Sequence, residues 1–146
     1  MRRKKGSMGF KILIDANILL DFTLNRAGYL SARALFQLVV DRKVAAYITP
    51  SILHIAGYWL TKAYGATKAK AILQKLLAVV QVVDCHHDTA VLALHSKMTD
   101  IEDALQYYTA LSHRLDCLIS SDRQLKKSAI DLLPVMTPAE WLDQYR

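Results

Sequence analysis

Five short runs of apolar residues, at 10–14, 44–48, 79–83, 117–120 and 134–136, punctuate the chain without the polar alternation of a half-exposed strand. Their length and β-branched content predict strands buried on both faces, as in a parallel sheet. Between these runs the apolar spacing becomes helical. Leu35, Leu38 and Val39 stripe a helix over 30–41, and Ile52, Ile55, Trp59 and Leu60 stripe the next, which starts after Pro50. Further helices are predicted over 66–78, 89–95, 104–115 and 139–145. Strands and helices alternate, with paired helices between the second and third strands. This order predicts an α/β three-layer sandwich, a central parallel sheet flanked by helices and joined by right-handed crossovers. Ligands in such a fold gather at the carboxyl ends of the strands.

Composition narrows the class without naming a chemistry. The 146 residues suffice for one core, and 53% hydrophobic residues with only 5 Gly and 3 Pro exclude a disordered or linker-dominated chain. A mean hydropathy of +0.15 is high for a monomer of this size and predicts apolar surface covered in a homodimer. The formal charge of +6 comes from 19 Lys and Arg against 13 Asp and Glu. Arg2, Arg3, Lys4 and Lys5 supply four of those cations, so the remaining chain carries 15 against 13 and bulk charge says little about nucleic acid. Residues 1–8 are expected to be a basic arm or a cloning remnant, and 9–146 a single domain. Cys85 and Cys117 lie too far apart in sequence, with no spaced partners, for a disulfide or zinc framework, which fits a reducing cytoplasm. No apolar stretch reaches the length of a membrane span, and no signal peptide is visible.

The sheet edge directs attention to particular acids. Asp15 ends the first strand in Ile12-Leu13-Ile14-Asp15-Ala16-Asn17, and Asp122 follows the fourth in Leu118-Ile119-Ser120-Ser121-Asp122. Thr99-Asp100-Ile101-Glu102-Asp103-Ala104 opens the helix leading into the fourth strand, and Asp100 and Asp103 are spaced to face the same way. Plain structural roles compete with chemistry here. Thr99 with Glu102 spells a capping box, and Asp122 is placed to cap a short helix. Asp15 is harder to explain as a turn, because a carboxylate directly after apolar strand residues is costly to bury unpaired. Carboxylates converging at one sheet edge suit Mg²⁺ or Mn²⁺ coordination for phosphodiester hydrolysis, since these ions prefer oxygen ligands and offset phosphate charge. Asp15, Asp103 and Asp122 form the expected catalytic ligand set, with Asp100 at its rim; Asn17 and Ser120 are expected to hold carboxylates or a water by hydrogen bonds.

Four ordered motifs carry a family resemblance: Lys11-Ile-Leu-Ile-Asp15-Ala-Asn17-Ile-Leu-Leu-Asp21, Asp100-Ile-Glu-Asp103-Ala-Leu-Gln106, Leu-Ile-Ser-Ser-Asp122 and Met136-Thr-Pro138-Ala-Glu140-Trp-Leu. Over Lys11 to Leu142 the chain resembles a PIN domain, most similar to the VapC-like bacterial group. The resemblance implies a metal-dependent ribonuclease on a 3-2-1-4-5 parallel sheet, often dimeric and often paired with an antitoxin. Two positions depart from it. Relatives commonly place a Glu in the helix after the second strand, where Ala56 or His54 stands here, and another acid where this chain has Leu125.

Basic and aromatic residues complete the expectations. Arg123, beside Asp122, is the best-placed RNA contact, with Lys62, Lys68, Lys70, Lys126 and Lys127 as further candidates. His54 is a candidate phosphate contact or neutral ligand. Tyr58, Tyr64 and Leu73 are expected on a dimer face. The leading function is a metal-dependent endoribonuclease, with a catalytically degenerate RNA-binding or regulatory protein as the alternative. Phosphoryl transfer through an aspartyl nucleophile ranks last, because Asn17 stands where a general acid is needed.

Overall fold

The structure, a computed structural model, describes residues 10–145, so the basic arm expected at 1–8 lies outside the described residues. The chain runs β1 (Lys11–Ile14), α1 (Ala16–Thr23), α2 (Tyr29–Val40), β2 (Ala45–Ile48), α3 (Pro50–Tyr64) and α4 (Ala66–Leu77). It continues through β3 (Val80–Val82), α5 (His87–His95), α6 (Ile101–Ser112), β4 (Cys117–Ile119), α7 (Arg123–Lys127), β5 (Val135–Met136) and α8 (Pro138–Tyr145). All strand pairs are parallel and the sheet order is β3-β2-β1-β4-β5, as the sequence led us to expect.

The central strands are apolar because no side of them meets water. Ile12, Leu13 and Ile14 of β1 and Leu118 and Ile119 of β4 are fully buried. Burial on that scale stabilises by about 1.5–3 kcal/mol per large side chain. Register then sets the functional edge: Ile14 pairs with Ile119, the Asp15 amide donates to the Ile119 carbonyl at 3.0 Å, and Asp15 therefore emerges beside Ser120.

Three features differ from the sequence expectation. First, α1 starts at once after β1, where no helix was expected. Ile18, Leu19 and Leu20 follow the β1 apolar run after only Asp15, Ala16 and Asn17, and the switch from strand to helix is made by Asp15, whose Oδ1 accepts the Ala16 amide at 2.7 Å. Second, α1 and α2 make a helix pair of the first crossover, where a single helix over 30–41 was expected. Third, Asp100, not Thr99, caps α6, accepting the Asp103 amide at 2.9 Å. An aspartate in extended conformation meets that amide directly, which leaves the Thr99–Glu102 box unused.

The α6 helix, which carries one of the candidate acids, is pinned to the segment leading into β5. The buried Tyr107 hydroxyl donates to the Leu133 carbonyl at 2.8 Å and accepts the Ile130 amide at 2.6 Å. Tyr107→Phe strands those backbone groups, and we expect a loss of about 1–3 kcal/mol in urea unfolding. An unchanged unfolding midpoint would show that the contact does not hold α6.

Candidate active site

The carboxyl edge of the sheet is where three helices begin. The first turns of α1, α6 and α7 each have an aspartate as N-cap: Asp15 for α1, Asp100 for α6, and Asp122, whose Oδ1 accepts the Gln124 and Leu125 amides at 2.9 and 3.1 Å, for α7. Helix N-termini carry partial positive charge, so carboxylates are tolerated there. Each of the three commits its Oδ1 to a cap, and no hydrogen bond among the described residues engages the carboxyl of Asp103, which stands in the first turn of α6 and is buried.

Ser120 joins two of these acids. Its hydroxyl donates to Asp15 Oδ2 at 2.8 Å and accepts the Asp122 amide at 3.0 Å, so one side chain of the β4 end orients the acid of β1 and the start of the Asp122 turn. Asn17, expected to hold a carboxylate, is exposed and accepts Arg26 Nη2 on its side-chain and backbone oxygens at 3.4 and 3.3 Å. Arg26 is a cation that sequence reading passed over. Its Nε also pairs with Asp21 at 3.0 Å, and a Cβ at Gly28 would displace that Asp21 carboxylate. The signal was a lone arginine in a loop, indistinguishable in sequence from a solvated residue.

The remaining candidates divide. Arg123 is exposed at the first position of α7, beside Asp122. Lys126 is committed to Glu140 at 2.6 Å, and Lys62 and Lys68 lie over the rings of Tyr58 and Trp59, and of Tyr64. His54 is exposed on α3, and no hydrogen bond or ion pair among the described residues joins it to the acids. Ala56, at the position where relatives commonly carry Glu, is buried in the apolar core, so α3 brings no carboxylate there. Leu125 is likewise buried.

Mutual repulsion marks the cluster. Burial, then the charges of Asp100, Asp122, Asp15 and Glu102, push the Asp103 carboxyl up to about 7. Burial also raises Asp15, against the Ser120, Ala16 and Gln106 groups that favour its charged form, and Asp122 adds to the rise. Glu102, read in sequence mainly as a capping or surface residue, is raised by burial and then by the Asp15 and Asp100 charges. The buried Gln106 amide therefore lies near Asp15, yet neither of its polar atoms closes a hydrogen bond with any described residue. No three His, Cys, Asp or Glu side chains among the described residues stand around one point as a finished metal cage. Such a cage is not what Mg²⁺ requires, since it commonly takes one or two carboxylates and keeps several waters. Hard oxygen donors in excess, with an unpaired buried amide beside them, fit such an ion.

A five-stranded parallel sheet of this order with aspartates gathered at its carboxyl edge defines a class of α/β fold in which acids converge at one site. A family profile described as PIN domain matches residues 11–124, and the chain belongs to the PIN-domain family, a family of nucleases. Solved structures that share the fold include the following three. VapC20 of Mycobacterium tuberculosis, described as a sarcin-ricin loop cleaving toxin, is 15% identical, covers 82% of this chain and 95% of its own, and superposes with a TM-score of 0.64. VapBC2 of Rickettsia felis, bound to a promoter DNA fragment, is 15% identical over 86% and 97% of the two chains, with a TM-score of 0.62. A toxin-antitoxin complex from Klebsiella pneumoniae is 22% identical over 87% and 97%, with a TM-score of 0.65. No curated protein sequence matches the chain.

Two predictions follow from the electrostatics and the Ser120 relay. A carboxyl raised in the folded state takes up its proton on folding between pH 3.8 and about 7. Its contribution to stability is full below that window and is lost as pH rises through it. In chelator, Asp103→Asn should therefore melt above wild type at pH 8, with the difference shrinking towards pH 4; a variant that melts lower at pH 8 would identify Asp103 as a structural hydrogen-bond acceptor. Ser120→Ala leaves the buried Asp15 Oδ2 and the Asp122 amide without their shared partner, and chemical denaturation should report a loss of about 1–3 kcal/mol.

Proposed function

We propose that this protein is a metal-dependent endoribonuclease that hydrolyses RNA phosphodiester bonds and acts as the toxin of a toxin-antitoxin pair. The observation that carries the reading is the uncompensated acidic cluster: Asp103, unpaired by any cation among the described residues, raised by its burial and then by four neighbouring carboxylates. A fold gains nothing by such crowding unless a cation joins it. Asp15, Asp103 and Asp122 would hold Mg²⁺ or Mn²⁺, with Asp100 at the rim. When bound, that ion activates a water at neutral pH and offsets charge developing on the phosphate.

The chain's own residues do the rest. Ser120 and the Ala16 amide fix the Asp15 carboxylate, and the α7 amides fix Asp122, so neither must be ordered when RNA arrives. Arg123, next to Asp122, supplies positive charge beside an acidic site that otherwise repels phosphate. The VapC and VapBC likenesses support a small antitoxin partner. Exposed Tyr58, Trp59 and Tyr64 on α3 support a second copy as a further partner, whereas Leu73, expected on the same face, packs partly buried against the core. No helix among the described residues is long and apolar enough to cross a membrane.

Purified protein should cleave RNA with Mn²⁺ and not in chelator, and Mn²⁺ should raise its melting temperature because the unfolded chain has no assembled site. Asp103→Asn should lose cleavage and most of the melting response. The absence of an acid from α3 favours the alternative of a degenerate RNA-binding member. That alternative is established instead if the wild type binds RNA, ignores Mn²⁺ and leaves the RNA intact.

A further inference from the structure

Gln106 sits one turn beyond Asp103 on α6, on the side of the helix that faces the protein, and is 1% exposed. Its Nε2 and Oε1 are both buried and both without a hydrogen-bond partner among the described residues. Leaving a buried amide unpaired costs about 1–3 kcal/mol, and a leucine of similar size would avoid that cost at a helix position already lined by Ala104, Tyr107 and Ala110. Among the described residues three have such orphaned atoms, Gln106, Thr109 and Trp141, and of these Gln106 is the one whose polar group acts on an acid of the cluster, favouring charged Asp15. Asp15 meanwhile has its two oxygens held from other directions, by the Ala16 amide and the Ser120 hydroxyl.

A carboxamide is the neutral side chain that offers a donor and an acceptor from one rigid plane. We propose that Gln106 is a positioning residue of the acidic site: with a divalent cation bound, its Nε2 donates to the Asp15 carboxylate and its Oε1 accepts a proton of a water in the site. This inference rests on the ribonuclease reading above and adds a residue to it. In the protein alone Nε2 stops short of the Asp15 carboxylate, which the Ala16 amide and Ser120 already hold, and Oε1 lacks the water that arrives with the ion. The amide holds Asp15 in the plane needed for coordination, and it turns one proton of the water away from the phosphate so that a lone pair faces it. A neutral group does this without adding another negative charge to an edge that already carries five carboxylates.

The test uses Gln106→Leu and the more accommodating Gln106→Met in the full chain. In chelator both should melt at or above wild type, because an unpaired amide has been removed. Mn²⁺ affinity by calorimetry should fall about tenfold, the usual scale for losing a group that orients a metal ligand. Cleavage should lose kcat with the KM for RNA unchanged. A purely structural glutamine would give the opposite pattern, lower melting in chelator or failure of both variants to fold, and that result overturns the proposal. So does wild-type Mn²⁺ affinity in the two variants. A wild-type protein that shows no Mn²⁺ response at all overturns the ribonuclease reading itself, and is told apart from failure at Gln106 by that control.

Discussion

The Ser120 hydroxyl is the contact on which the functional edge depends. It spans two parallel strands that are 105 residues apart at Asp15 and Ser120, donating to one acid and accepting the amide that begins the turn of another. The pairing of Ile14 with Ile119 makes this geometry available, because it sets the last residues of β1 and β4 side by side. A shift of one residue would turn Ser120 or Asp15 to the opposite face. The buried apolar strands thus do more than stabilise the fold; they fix where two carboxylates stand.

Around that contact the fold tolerates a charge arrangement that is unfavourable by itself. Five carboxylates act on one another at the edge, with the strongest consequence at Asp103. Three of the aspartates are also N-caps, so the amides of α1, α6 and α7 offset part of the repulsion with directed hydrogen bonds. Asp103 has no such compensation. The edge thus holds together without a cation, and the repulsion left at Asp103 is what the proposed metal site would relieve.

The face opposite that balance is less complete. α3 runs alongside α1 and offers Ala56 to the core, not a carboxylate to the edge. Its outward side instead carries Tyr58 and Trp59 in edge-to-face contact at 5.2 Å with Lys62 over both rings. Cation–π contacts of this kind occupy lysines that would otherwise be free for phosphate. Positive charge next to Asp122 falls to Arg123, whereas Arg26 is locked by Asp21 and Asn17.

The sequence alone determined the strands, most of the helices and the acids worth inspecting. Strands buried on both faces have to be continuous apolar runs, helices packed on a sheet have to repeat their apolar positions every three or four residues, and Asp15 and Asp122 stand directly after such strands. Local pattern failed where two elements abut without a break, as at Ile14 and Ala16, and where two caps compete, as at Thr99 and Asp100. It could not say that Asn17 would turn to Arg26, that Lys126 would be taken by Glu140, or that Gln106 would be buried unpaired beside Asp15. Those outcomes depend on which distant side chains meet once the register is set and the helices have docked. Periodicity reports only which face of its own element a residue occupies; the partner across the gap is chosen by tertiary packing.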